Sequence, residues 1–209
     1  MSSPEPVRPA GASPRRLAAV ASRSAVDLPA AERAVTDLLR ALGRDPGEPH
    51  LAETPRRVAD SFAEMLTPRE FELTTFANDE GYNELVMARD IPVQSLCEHH
   101  LLPFAGVAHI GYLPGDRILG LSKLARVVEL FAHRVQVQER LTKQVADWLH
   151  THLRPQGVGV VIEAEHLCMS LRGVQAVGAR TVTSTLLGTM RADPRSRAEF
   201  FAAAGLGVR

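Results

Sequence analysis

Twice along this chain the apolar residues change from helical spacing to strand spacing, and that alternation limits the class of fold open to it. Val35, Leu38, Leu39 and Leu42 fall at i, i+3, i+4 and i+7, and the run stops at Gly43. A second helix is predicted from Thr54, read as its N-cap, with Pro55 at the first helical position and Val58, Phe62 and Leu66 on one face; Pro68 closes it. From residue 84 the period becomes two, with Leu85, Met87, Arg89, Ile91, Val93 and Ser95 alternating with more polar neighbours. A second strand over about 104–113 ends at Pro114-Gly115-Asp116, which suggests antiparallel pairing.

The cycle then repeats. Ser122 can cap a helix whose stripe is Leu124, Val127, Val128 and Phe131, and another helix carries Leu141, Val145, Trp148 and Leu149. Val158, Val160, Ile162 and Ala164 alternate again, and a Thr- and Val-rich strand covers roughly 179–187. Asp193-Pro194 opens a last helix that Gly205 can end. The order predicts an α+β fold with an antiparallel sheet backed by helices: N-terminal helices over 29–70, a core over 84–190 and a C-terminal helix over 193–205.

At 209 residues the chain can bury one sizeable core without staples. Residues 1–28 carry Pro4, Pro6, Pro9 and Pro14 among Ser, Ala and Arg, a composition expected to stay disordered. The run Leu17 to Ala21 is shorter than the roughly seven apolar residues an export signal needs, and no later segment approaches membrane-spanning length. Lys plus Arg number 24 and Asp plus Glu 24, so no net field points to nucleic acid or to an anionic membrane. Two cysteines cannot build a disulfide framework, which favours a reducing cytoplasm.

Those cysteines are not scattered. Cys97 and His100 stand three apart in Cys97-Glu98-His99-His100, at the end of one strand, and His166 precedes Cys168 at the end of another. Two thiolates and one imidazole make a three-ligand set, and zinc held so keeps a fourth position for water, as catalytic zinc does. On spacing alone, two inert core thiols and a disulfide stay open beside the metal site. His99 and His166 would then flank the ion without ligating it, with ring pKa values suited to proton transfer near neutrality. Glu98 is either a support for this group or a solvated carboxylate.

The segments "ETPRRVA" (53–59), "SLCEHHLLPFAG" (95–106), "GYLPGDRILGLSKLARVVE" (111–129), "QVQERLT" (136–142) and "EHLCMSLRG" (165–173) together resemble GTP cyclohydrolase I, over about residues 29–203. The resemblance implies a tunnelling fold whose sheets join across subunits into a barrel, in homodecamers with active sites at subunit interfaces. It implies zinc bound through Cys97, His100 and Cys168. The reaction implied converts GTP and water to 7,8-dihydroneopterin triphosphate, with C8 leaving as formate, as the first step towards tetrahydrofolate or other pterins. Acid–base work falls to His99 and His166, with Ser122 a further candidate on the ribose side and helix capping its simpler role.

For the substrate, the resemblance places Glu139 at the guanine, where one carboxylate can accept from N1–H and the 2-amino group, with Gln138 beside it. Lys123, Arg126 and Arg172 match phosphate contacts, and Arg57 matches one reaching in from a neighbouring subunit. Any of these taken alone reads as a surface charge. No Gly-rich phosphate loop is present, so this is not P-loop hydrolysis. Val135 stands where the family often has proline. Two other readings compete: a tunnelling-fold relative serving deazaguanine synthesis, and a zinc- and nucleotide-binding regulator without turnover. The Cys-His-Cys set argues against the first, and the presence of both acid–base histidines against the second.

Overall fold

The computed structural model of the chain describes residues 15–18 and 26–206. In order they form β1 (Arg15–Ala18), α1 (Leu28–Ala41), α2 (Thr54–Leu66), β2 (Glu72–Ala77), β3 (Val86–Cys97), β4 (Pro103–Leu113), β5 (Arg117–Leu119) and α3 (Ser122–Ala132). There follow β6 (Val135–Gln136), α4 (Gln138–Leu153), β7 (Gly157–His166), α5 (Leu167–Ser170), β8 (Arg180–Gly188), α6 (Thr189–Ala192) and α7 (Pro194–Ala203). The main sheet has the order β6-β3-β4-β7-β8 and is antiparallel except where the two-residue β6 lies parallel to β3. A smaller sheet has the order β1-β2-β5. The α+β fold expected from the alternating periods, an antiparallel sheet backed by helices, is the one adopted.

The predicted stripes of α3 and α4 make the core, whereas that of α1 does not, since α1 buries no residue and Leu38 and Leu42 are exposed, and that of α2 is only half-buried. Leu124, Val127 and Val128 of α3 and Leu141, Val145 and Leu149 of α4 pack with Ile110 of β4 and with Val158, Val160 and Ile162 of β7. Each such side chain, fully buried, contributes about 1.5–3 kcal/mol. A second, smaller cluster on the other face joins Val161, Met190 and Phe200.

Several local expectations are corrected. The alternation from Leu85 to Ser95 is not continuous: one extra residue enters β3 between Ala88 and Ile91, where Asp90 takes a φ of 54°. The bulge moves side chains to the opposite face, so Leu85 and Met87 pack with the Phe200 cluster while Ile91 and Val93 join the main core. The Asp90 N–H, lost to the ladder, donates to His109 Nδ1 at 3.3 Å.

Neither predicted N-cap is one. At α2 the chain already turns helically at Glu53, which is the N-cap, and Thr54 lies within the helix. At α3 the cap is Leu121, in helical conformation, with no side-chain capping bond. Of the stretch to residue 28, residues 15–18 form β1, whose backbone pairs with β2 from Arg15↔Thr75 to Ala18↔Glu72. The rest of that stretch up to residue 25 lies outside the described residues. No helix of the described residues is long and apolar enough to cross a membrane.

Candidate active site

Strand register brings the two cysteines together. β4 lies between β3 and β7 and runs antiparallel to both, so β3 and β7 are parallel to each other and end on the same side. Ser95, Phe104 and His166 form one row across the three strands. Two residues beyond that row on β3 is Cys97, and two beyond it on β7 is Cys168. Past Cys97 the chain folds back tightly: the His100 and Leu101 N–H groups donate to the Cys97 carbonyl at 3.3 and 2.8 Å, and Leu101 takes a φ of 54°. That turn returns His100 over Cys97.

The resulting cluster suits a tetrahedral ion. The ligand atoms of Cys97, His100 and Cys168 all lie within 4.8 Å of one another. Sγ of Cys97 is 3.9 Å from Sγ of Cys168 and 3.8 Å from Nδ1 of His100. A zinc about 2.3 Å from sulfur and about 2.0 Å from nitrogen sets its ligand atoms about 3.5–3.8 Å apart, so the three need only close slightly. Burial, and then the neighbouring Cys97 thiol, push the Cys168 thiol above its usual pKa, with Arg172 acting in the opposite direction. A divalent ion held by these sulfurs would stabilise both thiolates. Both cysteines are free thiols, so no disulfide occupies the site.

The cluster opens into a cavity of about 210 Å³ that His99, Glu139 and His166 also line. His166 is fixed by two contacts. Its ring stacks on Phe104, with centroids 4.5 Å apart and planes 12° apart, and its Nε2 lies 2.7 Å from Gln138 Oε1. Burial holds the His166 pKa below the ordinary histidine value, with the Glu139 carboxylate acting in the opposite direction. His99 is two-thirds exposed, with Nδ1 4.0 Å from Cys97 Sγ and Nε2 4.0 Å from Glu98 Oε1. Glu98 is clamped by Arg140, whose guanidinium holds its carboxyl below the usual range. Arg140 in turn donates from Nε to Gln136 Oε1 at 3.0 Å.

Glu139 and Gln138 sit at the start of α4, and their environments are opposite. Glu139 is exposed to the cavity, whereas Gln138 is 1% exposed, with its amide bonded inside the protein. Arg172 reaches the cluster from beyond α5, with Nη1 3.3 Å from His100 Nε2.

The remaining predicted residues are not brought to this cavity within one chain. Ser95 Oγ donates to the Ala132 carbonyl at 2.6 Å, which places the C-terminal end of α3 beside the site. The other end follows β5, where the Leu119 N–H donates to Tyr112 Oη at the far end of β4. Ser122 lies ten residues before Ala132, about 15 Å along the helix. Ser122 and Lys123 therefore stand at the opposite end of the sheet. Arg126, midway, pairs with Glu129 at 3.1 Å, and Arg57 lies exposed on α2.

Several supporting residues escaped the sequence reading. Phe104, Arg140, Thr142 and Thr183 hold catalytic-site candidates in place, yet each looks like an ordinary strand or helix residue. Only the i, i+4 spacing of Gln138 and Thr142 hints that the two polar groups share a buried helix face.

Comparison with known proteins agrees with this geometry. The family described as GTP cyclohydrolase I matches residues 31–205. A protein of Aquifex aeolicus named GTP cyclohydrolase 1 is 52% identical over 176 residues, covering 84% of this chain and 96% of its own. One of Mycobacterium leprae with the same name is 53% identical over 174 residues, covering 81% of this chain and 85% of its own. One of Rattus norvegicus, again so named, is 49% identical over 179 residues, covering 84% and 74%. With the family match spanning residues 31–205 and relatives this similar matched over 74–96% of their own length, the chain belongs to the GTP cyclohydrolase I family.

Proposed function

We propose that the protein is a zinc-dependent GTP cyclohydrolase I, converting GTP and water to 7,8-dihydroneopterin triphosphate and formate. The observation that carries this reading is the convergence of Cys97, His100 and Cys168 in one cavity with two further histidines and the exposed carboxylate of Glu139. Cys97 and Cys168 through sulfur, and His100 through Nδ1, would hold the zinc. When bound, zinc with three protein ligands supplies a Lewis acid and a water acidic enough to attack carbon near neutral pH.

The chain's own residues supply the rest. Glu139, at the cavity wall, accepts from the guanine N1–H and 2-amino group, with Gln138 in the same corner. His166, whose pKa burial lowers, takes up a proton as the ring opens, and the exposed His99 exchanges protons with solvent-facing atoms. Arg172 meets phosphate beside the cluster.

Ser122, Lys123, Arg126 and Arg57 serve the same site from neighbouring copies, since one chain leaves them outside its cavity. This makes the active site an interface feature of a homo-oligomer, a decamer by family resemblance, with sheets joined edge to edge into a barrel. The β8 edge, unpaired among the described residues, suits that joining. Two free cysteines suit a reducing cytoplasm. The pathway served is tetrahydrofolate or other pterin synthesis, with GTP as the small-molecule partner and neither nucleic acid nor membrane required.

The test is incubation of purified protein with GTP, following formate and a pterin chromophore together. Appearance of both supports the reading. Formation of GDP and phosphate without formate excludes it.

A further inference from the structure

We infer that Gln138 is a positioning residue that locks His166 in its Nε2–H tautomer and in one ring orientation. This rests on the proposed role of His166 as a proton acceptor and goes beyond it by naming the tautomer and the residues that select it.

The buried Gln138 amide has one possible orientation. Gln138 Nε2 lies 3.0 Å from the Ile162 carbonyl oxygen, 2.9 Å from that of Thr181 and 3.1 Å from Thr183 Oγ1. Two of these partners are carbonyl oxygens, which only accept. The atom facing them must therefore be the NH2 group, and the flipped amide would set oxygen against oxygen in a site 1% exposed.

The hydroxyls behind it point the same way. Thr142 Oγ1 donates to the Gln138 backbone carbonyl at 2.8 Å, so its single hydrogen is committed. In the 2.6 Å contact between Thr142 and Thr183, the donor is then Thr183. Thr183 Oγ1 is left as an acceptor facing the Gln138 NH2, whose two hydrogens are shared among it and the two carbonyl oxygens.

That leaves Gln138 Oε1 as an acceptor aimed at His166, 2.7 Å from Nε2. A neutral imidazole satisfies it only with the hydrogen on Nε2. The Phe104 ring fixes the imidazole plane, so the lock sets both tautomer and orientation.

The test combines solid-state NMR of the zinc-loaded protein, labelled with ring-15N histidine, with steady-state kinetics. The His166 signal is assigned by its loss in His166→Asn. Neutral wild-type His166 is expected as the Nε2–H form. Gln138→Leu should lower kcat at least tenfold with KM for GTP within about twofold, leave zinc content unchanged and shift His166 away from that form. Thr183→Val, which keeps shape and removes one hydroxyl, should move both readouts in the same direction by less. If Gln138→Leu does not fold, Thr183→Val and the wild-type tautomer decide.

Neutral wild-type His166 carrying its hydrogen on Nδ1 would overturn the lock. So would a raised KM at unchanged kcat in Gln138→Leu, which would mean that the amide touches guanine itself. Wild-type turnover in His166→Asn would instead overturn the proton-acceptor role, and the tautomer measurement would then judge the lock by itself.

Discussion

The sulfurs of Cys97 and Cys168, 71 residues apart in the chain, lie 3.9 Å from each other because both stand two residues past one row of the sheet. Strands β3 and β7 are parallel neighbours of β4 and deliver a thiol each to the same edge, and the turn after Cys97 adds the imidazole of His100. A chelator that strips zinc should therefore abolish formate release, and zinc added back should restore it. Cys168→Ala should lose both metal and turnover, whereas His166→Ala should keep zinc and lose turnover. Metal analysis of the two variants checks the division, and equal zinc loss in both would refute it.

Glu139 distinguishes reading a guanine from holding a triphosphate. Its carboxylate can pair with N1–H and the 2-amino group, and a substrate lacking the amine leaves a desolvated acceptor at a cost of about 1–3 kcal/mol, tenfold or more in kcat/KM. Glu139→Ala should weaken GTP turnover and narrow its preference over ITP, while Arg172→Ala should weaken all triphosphates alike. Unchanged discrimination between GTP and ITP in Glu139→Ala would place guanine recognition elsewhere.

Glu129 sets a pH dependence away from the cavity. Burial pushes its carboxyl pKa up, but bonds from Arg69 and Arg126 outweigh that and hold it below the ordinary value. A depressed folded pKa stabilises the fold above the unfolded pKa of about 4.3 and loses that contribution as pH falls through the lower, folded value. Glu129→Gln should lower the Tm at pH 7, with a stability loss of order 1 kcal/mol because Arg69 is largely exposed, and the gap to wild type should close at pH values below 4. A gap of the same size at acid pH would show that packing, not charge, holds Glu129.

Gly106 allows a close approach between β4 and β7. A Cβ added there would sit 1.9 Å from the Glu163 carbonyl oxygen, a backbone atom that cannot swing aside. Gly106→Ala should destabilise the protein by about 1–3 kcal/mol, seen as a lower Tm, and reduce zinc retention because the same two strands aim His166 and Cys168. A Tm equal to wild type would mean that the strands separate freely.

The helical stripes of α3 and α4 and the alternation of β7 were legible in the sequence, because a buried face forces a period on the apolar residues. The ligand trio was legible as a three-residue spacing plus a matching strand end, although spacing left inert thiols and a disulfide open until the register brought three ligand atoms together. The bulge at Asp90 was not legible, since one inserted residue preserves composition while exchanging faces. Short strands such as β5 and β6 are too brief to show a period. The buried role of Gln138 was hidden because polarity says nothing about which way an amide faces, and the displacement of Ser122 from the cavity depends on where α3 crosses the sheet.

The central claim is that this cavity removes C8 of GTP as formate. Its most direct measurement uses GTP labelled with 13C at C8, incubated with the zinc-loaded protein and followed by NMR. The expected result is label appearing in formate in one-to-one proportion with the pterin chromophore, and none of it in the pterin. Label retained on a purine or pterin ring while GTP is consumed would contradict the claim.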